Sequence, residues 1–400
     1  MRPPRLFLVA GEVSGDVYGA DLVAALRRHR PDVELLAVGG PRMAAAGARC
    51  LIESSGWGLI GWVDVLMQVP AFVRRLARVG GAIAQWDPVA VVLIDFSAFN
   101  LELARRLRRR VPIAYFIPPM VTTRKGDRAR RIARLGMRIL AILPFEAEAY
   151  RAAGADVVFV GHPALDRVRA STPIGAVRQR LGIEPDDPLL ALLPGSRRQE
   201  LERHLPVIRD ALPAIYTRLP RLRTVLPLAS PEFRNLTEES LRGTPVPVTL
   251  VAGAGPEAYD ALAAADFAVV ASGTATLEAL CLGVPHVVIY RLSPITYRTP
   301  LMALYARYRV AARWVALPSL LADRPVVPEL VQAALTPSRL ADVVIDYLTD
   351  PRRREEQRRD LLGLRPLLGS PGAADRAARE VLGLVRLLGD EGSSTIDLKG

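Results

Sequence analysis

Three short segments hold the residues best suited to chemistry. The first is AGEVSGD, Ala10–Asp16. Its glycines permit a tight turn and a close approach of ligand to backbone. Its place at the start of a helix would favour an anion or a polar sugar group. An ordinary strand-to-helix turn has the same composition, and the spacing is not that of the dinucleotide fingerprint. The second is LLPGSRRQE, Leu192–Glu200. Gly195 and Ser196 offer backbone N–H groups, and Arg197 offers a charge suited to a diphosphate. Glu200 either joins that site or caps the helix that follows. The third is ASGTATLEA, Ala271–Ala279. Ser272, Gly273 and Thr274 close a β-rich run just where a helix begins, which presents hydroxyls and free N–H groups to a phosphate. Glu278 lies one turn on, placed to accept hydrogen bonds from a ribose diol. Plain capping by Ser272 or Thr274 is the competing explanation.

Such segments need strands to end on and helices to open. Apolar runs at Leu6–Ala10, Val89–Ile94, Ile113–Phe116, Ile139–Leu143 and Val157–Val160 alternate with amphipathic stretches, among them Val17–Arg28 and Leu101–Arg110. The intervening Gly11–Gly15 reads as a turn. A second series runs through Leu189–Leu193, Thr224–Leu228, Val246–Val251, Phe267–Ala271 and Pro285–Tyr290. Strand and helix in alternation imply parallel sheets with helices on both faces. The expected fold class is α/β of the GT-B type: two doubly wound, Rossmann-like domains facing a central cleft that holds the ligand. The expected boundaries are 1–165 for an acceptor and membrane-side domain and 166–345 for a donor-binding domain. Residues 346–388 are expected as helices packing back on the first domain, and 389–400 as a disordered tail.

The 400 residues are ample for two domains, and half of them are hydrophobic. With 53 basic and 41 acidic side chains the formal charge is +12, which favours an anionic partner. Nucleic acid is set aside: aromatics are 6% of the chain, and neither an RNA-binding aromatic motif nor zinc-ligand spacing is present. Cys50 and Cys281 are the only cysteines, which points to a reducing compartment. The N-terminal apolar run is too short for a signal peptide, and no stretch reaches transmembrane length. A cytoplasmic protein is expected, with membrane contact that is peripheral. Gly58–Val79 joins apolar residues to Arg74, Arg75 and Arg78, so it reads either as an interfacial segment against anionic head groups or as a core helix. There is no Asp-x-Asp and no His/Cys cluster. No metal is therefore expected: Arg197, backbone N–H groups and helix dipoles would stabilise a leaving diphosphate.

Taken in order, these segments resemble the lipid-A-disaccharide synthase family. AGEVSGDVYGADLVAALR is similar to its A-G-E-x-S-G-D opening, and GLIGWVDVL to its M-G-x-x-E-V-L stretch. ILPFEAEAYRAAGADVVFVGHPALD matches its P-F-E…G-H-P segment, which puts His162 in a family motif. LLPGSRRQE, ASGTATLEALCLGVPHVVIYRLSPITY and LLADRPVVPELVQ complete a likeness running from about Leu6 to Gln332. The resemblance implies an inverting, metal-independent glycosyltransferase without a cofactor, acting on a UDP-2,3-diacylglucosamine donor and a phosphorylated lipid sugar, 2,3-diacylglucosamine 1-phosphate. The product would be a β-1,6-linked disaccharide made at the inner face of the cytoplasmic membrane, and a homodimer remains open. Arg291, just beyond the last strand run, is assigned with Gly195, Ser196, Arg197, Ser272, Gly273, Thr274 and Glu278 to the donor.

Three segments depart from the family pattern. I-D-x-P-D-F-N reads IDFSAFN, so the family's candidate base is Ala98 here, while Asp95 remains. S-P-S-V-W-A-W-R reads IPPMVTTR, which lacks both tryptophans and carries Thr122 and Thr123, and L-P-N-x-L-A reads LPSLLA, with Ser319 for asparagine. Because strand side chains alternate faces, Asp95 need not replace the missing carboxylate. Asp16 and Glu12 in the glycine segment are the favoured substitutes, with His162 as a further catalytic candidate. The alternatives are a GT-B transferase with another lipid acceptor, and a UDP-sugar-binding homologue without catalysis. A UDP-sugar 2-epimerase shares the expected fold, but its catalytic carboxylates and histidines find no place in this sequence.

Overall fold

Apolar runs without alternation leave no face for water, so they belong in sheets covered on both sides. The computed structural model describes residues 3–54, 57, 62–108, 110–121, 126–244, 246–251, 253, 255–291 and 314–391. It contains two such sheets, both wholly parallel. Two units divide the chain. One comprises Met1–Pro163 and Leu368–Gly400, the other Ala164–Leu367.

The first unit runs β1 (Arg5–Ala10), α1 (Glu12–His29), β2 (Glu34–Gly39), α2 (Pro41–Ala45), β3 (Arg49–Glu53), α3 (Trp62–Trp86), β4 (Ala90–Ile94), α4 (Ser97–Leu107), β5 (Ile113–Phe116), α5 (Gly126–Ala133), β6 (Arg138–Ala141), α6 (Pro144–Ala152) and β7 (Val157–Phe159). Its sheet has the order β3-β2-β1-β4-β5-β6-β7. Phe7 and Val9 of β1 face a core that includes Phe99, Leu103 and Leu107 of α4. The α1 helix packs against other residues of β1.

The second unit runs α7 (Ala164–Arg167), α8 (Ile174–Arg180), β8 (Leu189–Leu193), α9 (Arg198–Arg218), β9 (Arg223–Pro227), α10 (Arg234–Ser240), β10 (Val248–Val251), α11 (Pro256–Ala263), β11 (Phe267–Ala271), α12 (Thr274–Leu282), β12 (His286–Tyr290), α13 (Leu317–Ala322), β13 (Glu329–Val331), α14 (Pro337–Thr349) and α15 (Pro351–Leu364). Its sheet has the order β10-β9-β8-β11-β12-β13. Leu190 and Leu192 of β8 pack on one side with Leu201, Leu205 and Ile208 of α9. Leu189 and Ala191 pack on the other with Ala279 of α12.

The chain then returns to the first unit with α16 (Ala373–Glu391). The segment expected as one returning piece, 346–388, is thus divided. Gln357 of α15 stays with the second unit because its Oε1 accepts the His286 N–H at 2.6 Å. Arg376 of α16 donates to the Val160 carbonyl at 2.7 Å, and Arg28 meets Asp375 at 3.0 Å, which fastens α16 to the first unit.

Two elements begin earlier than the sequence pattern implies. Helix α1 opens at Glu12, so Ser14, Gly15 and Asp16 are helical and the turn is Gly11 alone. Helix α4 opens at Ser97, because left-handed Asp95 and Phe96 (φ 49° and 48°) reverse the chain directly after β4. Strands β2, β3 and β13 also lie outside the expected runs. ELLAVG and RCLIE are poor in β-branched residues, and β13 has three residues.

Candidate active site

In each sheet the strand order reverses once, between β1 and β4 and again between β8 and β11. Ligands of open parallel sheets bind at the carboxyl ends of the strands beside such a reversal. The turns and helix starts after these four strands contain Gly11–Asp16, Asp95–Ala98, Gly195–Glu200 and Ser272–Glu278.

In the first unit, Gly11 must be glycine because a Cβ there would stand 2.2 Å from the Phe96 ring. Phe96 in turn stacks on Phe99 at 5.4 Å, and Trp57 packs on Phe99 at 5.3 Å. Ser14 Oγ donates to Asp95 Oδ2 at 3.0 Å, joining the ends of β1 and β4. The Asp95 carbonyl accepts from Tyr115 OH and from Asn100 Nδ2, both at 2.8 Å. These bonds hold a backbone conformation that costs roughly 1–3 kcal/mol per left-handed residue. Asp95 lies beyond β4 in this turn, so the alternation of strand faces does not govern its direction. Ala98 is exposed in the first turn of α4. A carboxylate at that position would lie in the field of a helix N-terminus, and alanine supplies none.

Two other catalytic candidates are placed elsewhere. Asp16 is buried, and its carboxylate accepts the N–H groups of Gly40 (2.9 Å), Arg42 (3.1 Å) and Met43 (3.0 Å). It therefore anchors the start of α2. His162 follows β7 at the sheet edge, three strands from β4, a separation of about 14 Å by strand spacing. Burial keeps its ring neutral, with the pKa lowered to about 4, and its backbone N–H donates to the Leu368 carbonyl at 2.8 Å. Glu12 opens α1, but its side chain lies outside the described residues, as do Thr122 and Thr123.

In the second unit the phosphate-facing groups are fewer than the motifs imply. Glu200 Oε2 accepts the Ser196 N–H at 2.9 Å, so the capping role anticipated for Glu200 occupies a donor assigned to the ligand. Gly195 has φ 136°, and a Cβ there would stand 2.5 Å from the Glu200 Cβ. Ser272 is occupied on both sides: its N–H donates to the Ile289 carbonyl at 3.0 Å and its Oγ to the Val315 carbonyl at 3.1 Å. The Arg291 guanidinium donates to the Leu335 carbonyl. Gly273 caps α12, whose first N–H groups lack an acceptor one turn back; that of Thr276 donates to the Gly273 carbonyl at 3.2 Å. Thr274 and Arg197 are both exposed. Glu278 is half-buried. Burial raises its carboxyl pKa and the charge of Arg167 opposes that rise, so Arg167 is a neighbour that the motifs do not reveal.

Two further side chains order these turns. The Glu329 carboxylate accepts the N–H groups of Val315 (2.9 Å) and Ala316 (3.0 Å), fixing the carbonyl that Ser272 meets. His204 joins the Pro194 turn to Arg291. Only its four-residue spacing from Glu200 on α9 could have linked His204 to the site in advance. Ser319, at the family's asparagine position, is fully buried, and its Oγ accepts the Val326 N–H at 3.2 Å. Among the described residues no three His, Cys, Asp or Glu side chains are grouped as metal ligands.

Asp16→Asn tests the anchoring role. An amide cannot accept at both ends, and its NH₂ would oppose the Arg42 N–H. The loss should be about 1–3 kcal/mol of stability, read as a lower urea midpoint, with turnover per folded molecule retained. Unchanged stability with abolished turnover would return Asp16 to the chemistry.

Comparison with known proteins agrees with this arrangement. The sequence pattern of the family described as lipid-A-disaccharide synthetase matches residues 6–367. Lipid-A-disaccharide synthase of Myxococcus xanthus is 41% identical over 377 residues, covering 94% of this chain and 96% of the relative. Among solved structures, a UDP-N-acetylglucosamine 2-epimerase from Listeria monocytogenes superposes with a TM-score of 0.66 at 14% identity, covering 100% of both chains. The calicheamicin glycosyltransferase CalG4 does so with a TM-score of 0.60 at 19% identity, covering 97% of this chain and 100% of the other. The structural likenesses establish the GT-B-type fold, and the sequence likeness identifies this chain as a glycosyltransferase of the lipid-A-disaccharide synthase family.

Proposed function

We propose that the chain transfers a diacylglucosaminyl group from UDP-2,3-diacylglucosamine to the 6-hydroxyl of 2,3-diacylglucosamine 1-phosphate, releasing UDP. The oxygen of that hydroxyl attacks the anomeric carbon, the bond to the diphosphate breaks, and configuration inverts. The observation that carries this reading is the pairing of Arg197 with the start of α12 across the β8/β11 reversal, in a chain of this family. A diphosphate there gains negative charge as the bond breaks, where helix N–H groups and a guanidinium stabilise it without reorganisation.

Calorimetry with UDP tests the donor site. Loss of a charge-assisted contact of about 1.5–3 kcal/mol in Arg197→Ala should weaken binding by at least about tenfold. Turnover should persist in EDTA, since the leaving group is assigned to Arg197 and α12. Unchanged UDP affinity in the folded variant would remove Arg197 from the site. Loss of turnover in EDTA, restored by Mg²⁺, would refute the metal-free assignment.

With Ala98 unable to take a proton and Asp16 engaged, we assign the base to Asp95, oriented by Ser14. Asp95→Asn should lower kcat by about 10²–10⁴-fold and leave UDP affinity intact. Adding a carboxylate with Ala98→Asp should change turnover little. A large gain in Ala98→Asp with no loss in Asp95→Asn would place the base at position 98. Absence of turnover in parent and both variants, with UDP still bound, would support the non-catalytic reading that exposed Ala98 favours.

The same proposal places the protein on the cytoplasmic face of an anionic membrane. Among the described residues no helix is long and apolar enough to cross one. On α3, Leu76 and Val79 are buried, whereas Val73, Arg74 and Arg78 are exposed. Arg75 instead covers the Trp57 ring at 5.0 Å. At about 1 kcal/mol per basic residue near an acidic surface, Arg74→Gln with Arg78→Gln should weaken sedimentation with anionic vesicles at low salt. Equal binding of the parent to neutral and anionic vesicles would refute the electrostatic part.

A further inference from the structure

His204 is fully buried on α9, inside the second unit. Its Nε2 receives the backbone N–H of Arg291 at 3.1 Å. A backbone N–H can only donate, so this nitrogen carries no proton. The proton is then on Nδ1, which donates to the Pro194 carbonyl at 2.6 Å. Both ring nitrogens are satisfied, and the neutral ring agrees with a pKa lowered chiefly by burial, with Glu200 opposing and Arg203 and Arg291 reinforcing the shift.

The two partners belong to different parts of the site. Pro194 begins the turn that carries Gly195, Ser196 and Arg197 after β8, and Arg291 follows β12. In the sheet, β11 lies between β8 and β12. One imidazole therefore spans two strand spacings, about 9.6 Å, across the end of the strand that leads into α12. Glu200 secures Ser196 from within its own turn and does not reach the end of β12.

We infer that His204 is a positioning residue for the donor diphosphate, setting the distance between Arg197 and the N–H groups at the start of α12. This rests on the donor-site reading above. The ring touches no substrate. It acts by holding the Pro194 carbonyl and the Arg291 N–H at a fixed spacing, so that the anion enters a site already formed.

The test separates a positioning role from a stabilising one. His204→Phe keeps the volume and loses both bonds; Asn can replace only the bond to Pro194, and Gln only the one from Arg291. UDP affinity and the separate KM values for donor and acceptor would be measured for all three, beside thermal unfolding and Arg197→Ala. With two buried hydrogen bonds lost, His204→Phe should weaken UDP binding by about tenfold or more and raise the donor KM in proportion. Acceptor KM should be unchanged, and Asn and Gln should fall between Phe and the parent. If Phe does not fold, the Asn and Gln variants decide the matter by the same readouts. Folded variants that melt earlier but bind UDP as the parent does would overturn the inference, leaving His204 a purely structural residue. If Arg197→Ala also binds UDP normally, the donor-site reading fails as well; loss in Arg197→Ala alone sinks only the role of His204.

Discussion

At a reversal of strand order, neighbouring parallel strands send their helices to opposite faces of the sheet. Between β1 and β4 the helices α1 and α4 part in this way, and between β8 and β11 so do α9 and α12. The gap they leave is lined by helix N-termini, whose N–H groups have no acceptor in their own helix. A nucleotide diphosphate needs such donors without the cost of desolvating mobile side chains. Everything else in both units keeps these four turns in place.

The means differ between the two sheets. In the first unit, close packing and carboxylate anchors predominate: Gly11 admits the Phe96 ring, and Asp16 collects three backbone N–H groups of the α2 turn. In the second unit, single polar side chains span different turns. His204 joins the ends of β8 and β12, and Glu329 fixes the segment that meets Ser272. Satisfied groups of this kind rigidify a site, because breaking any one bond leaves a partly or wholly buried donor or acceptor without water.

The departures from the family pattern fall unevenly. The donor turns keep their glycines, Arg197 and Glu278. The losses are at Ala98, at Thr122 and Thr123, and at Ser319. Ala98 is exposed, so the missing carboxylate leaves packing untouched; Ser319 is buried and bonded to the Val326 N–H. A change at an exposed helix start can alter chemistry at almost no cost to stability, whereas a change in the core must first preserve packing. The Ser14–Asp95 pair survives beside Ala98 and carries the remaining carboxylate of that turn.

Much of this was legible in the chain. Unbroken apolar runs bounded by glycine turns determined the parallel sheets, since such runs can be covered only from both sides. Motif order determined the family. Only the tertiary structure decided which groups are spent on the fold. Asp16, Ser196, Ser272 and Arg291 look like ligands in sequence because carboxylates, N–H groups, hydroxyls and guanidinium ions bind protein backbone by the same hydrogen bonds they would offer a substrate. His204 and Glu329 were hidden for the converse reason: their partners are backbone atoms far along the chain, and a backbone atom leaves no mark in the residue type. Which hydrogen bonds a polar side chain makes depends on what three-dimensional packing brings beside it, and that information is not local in sequence.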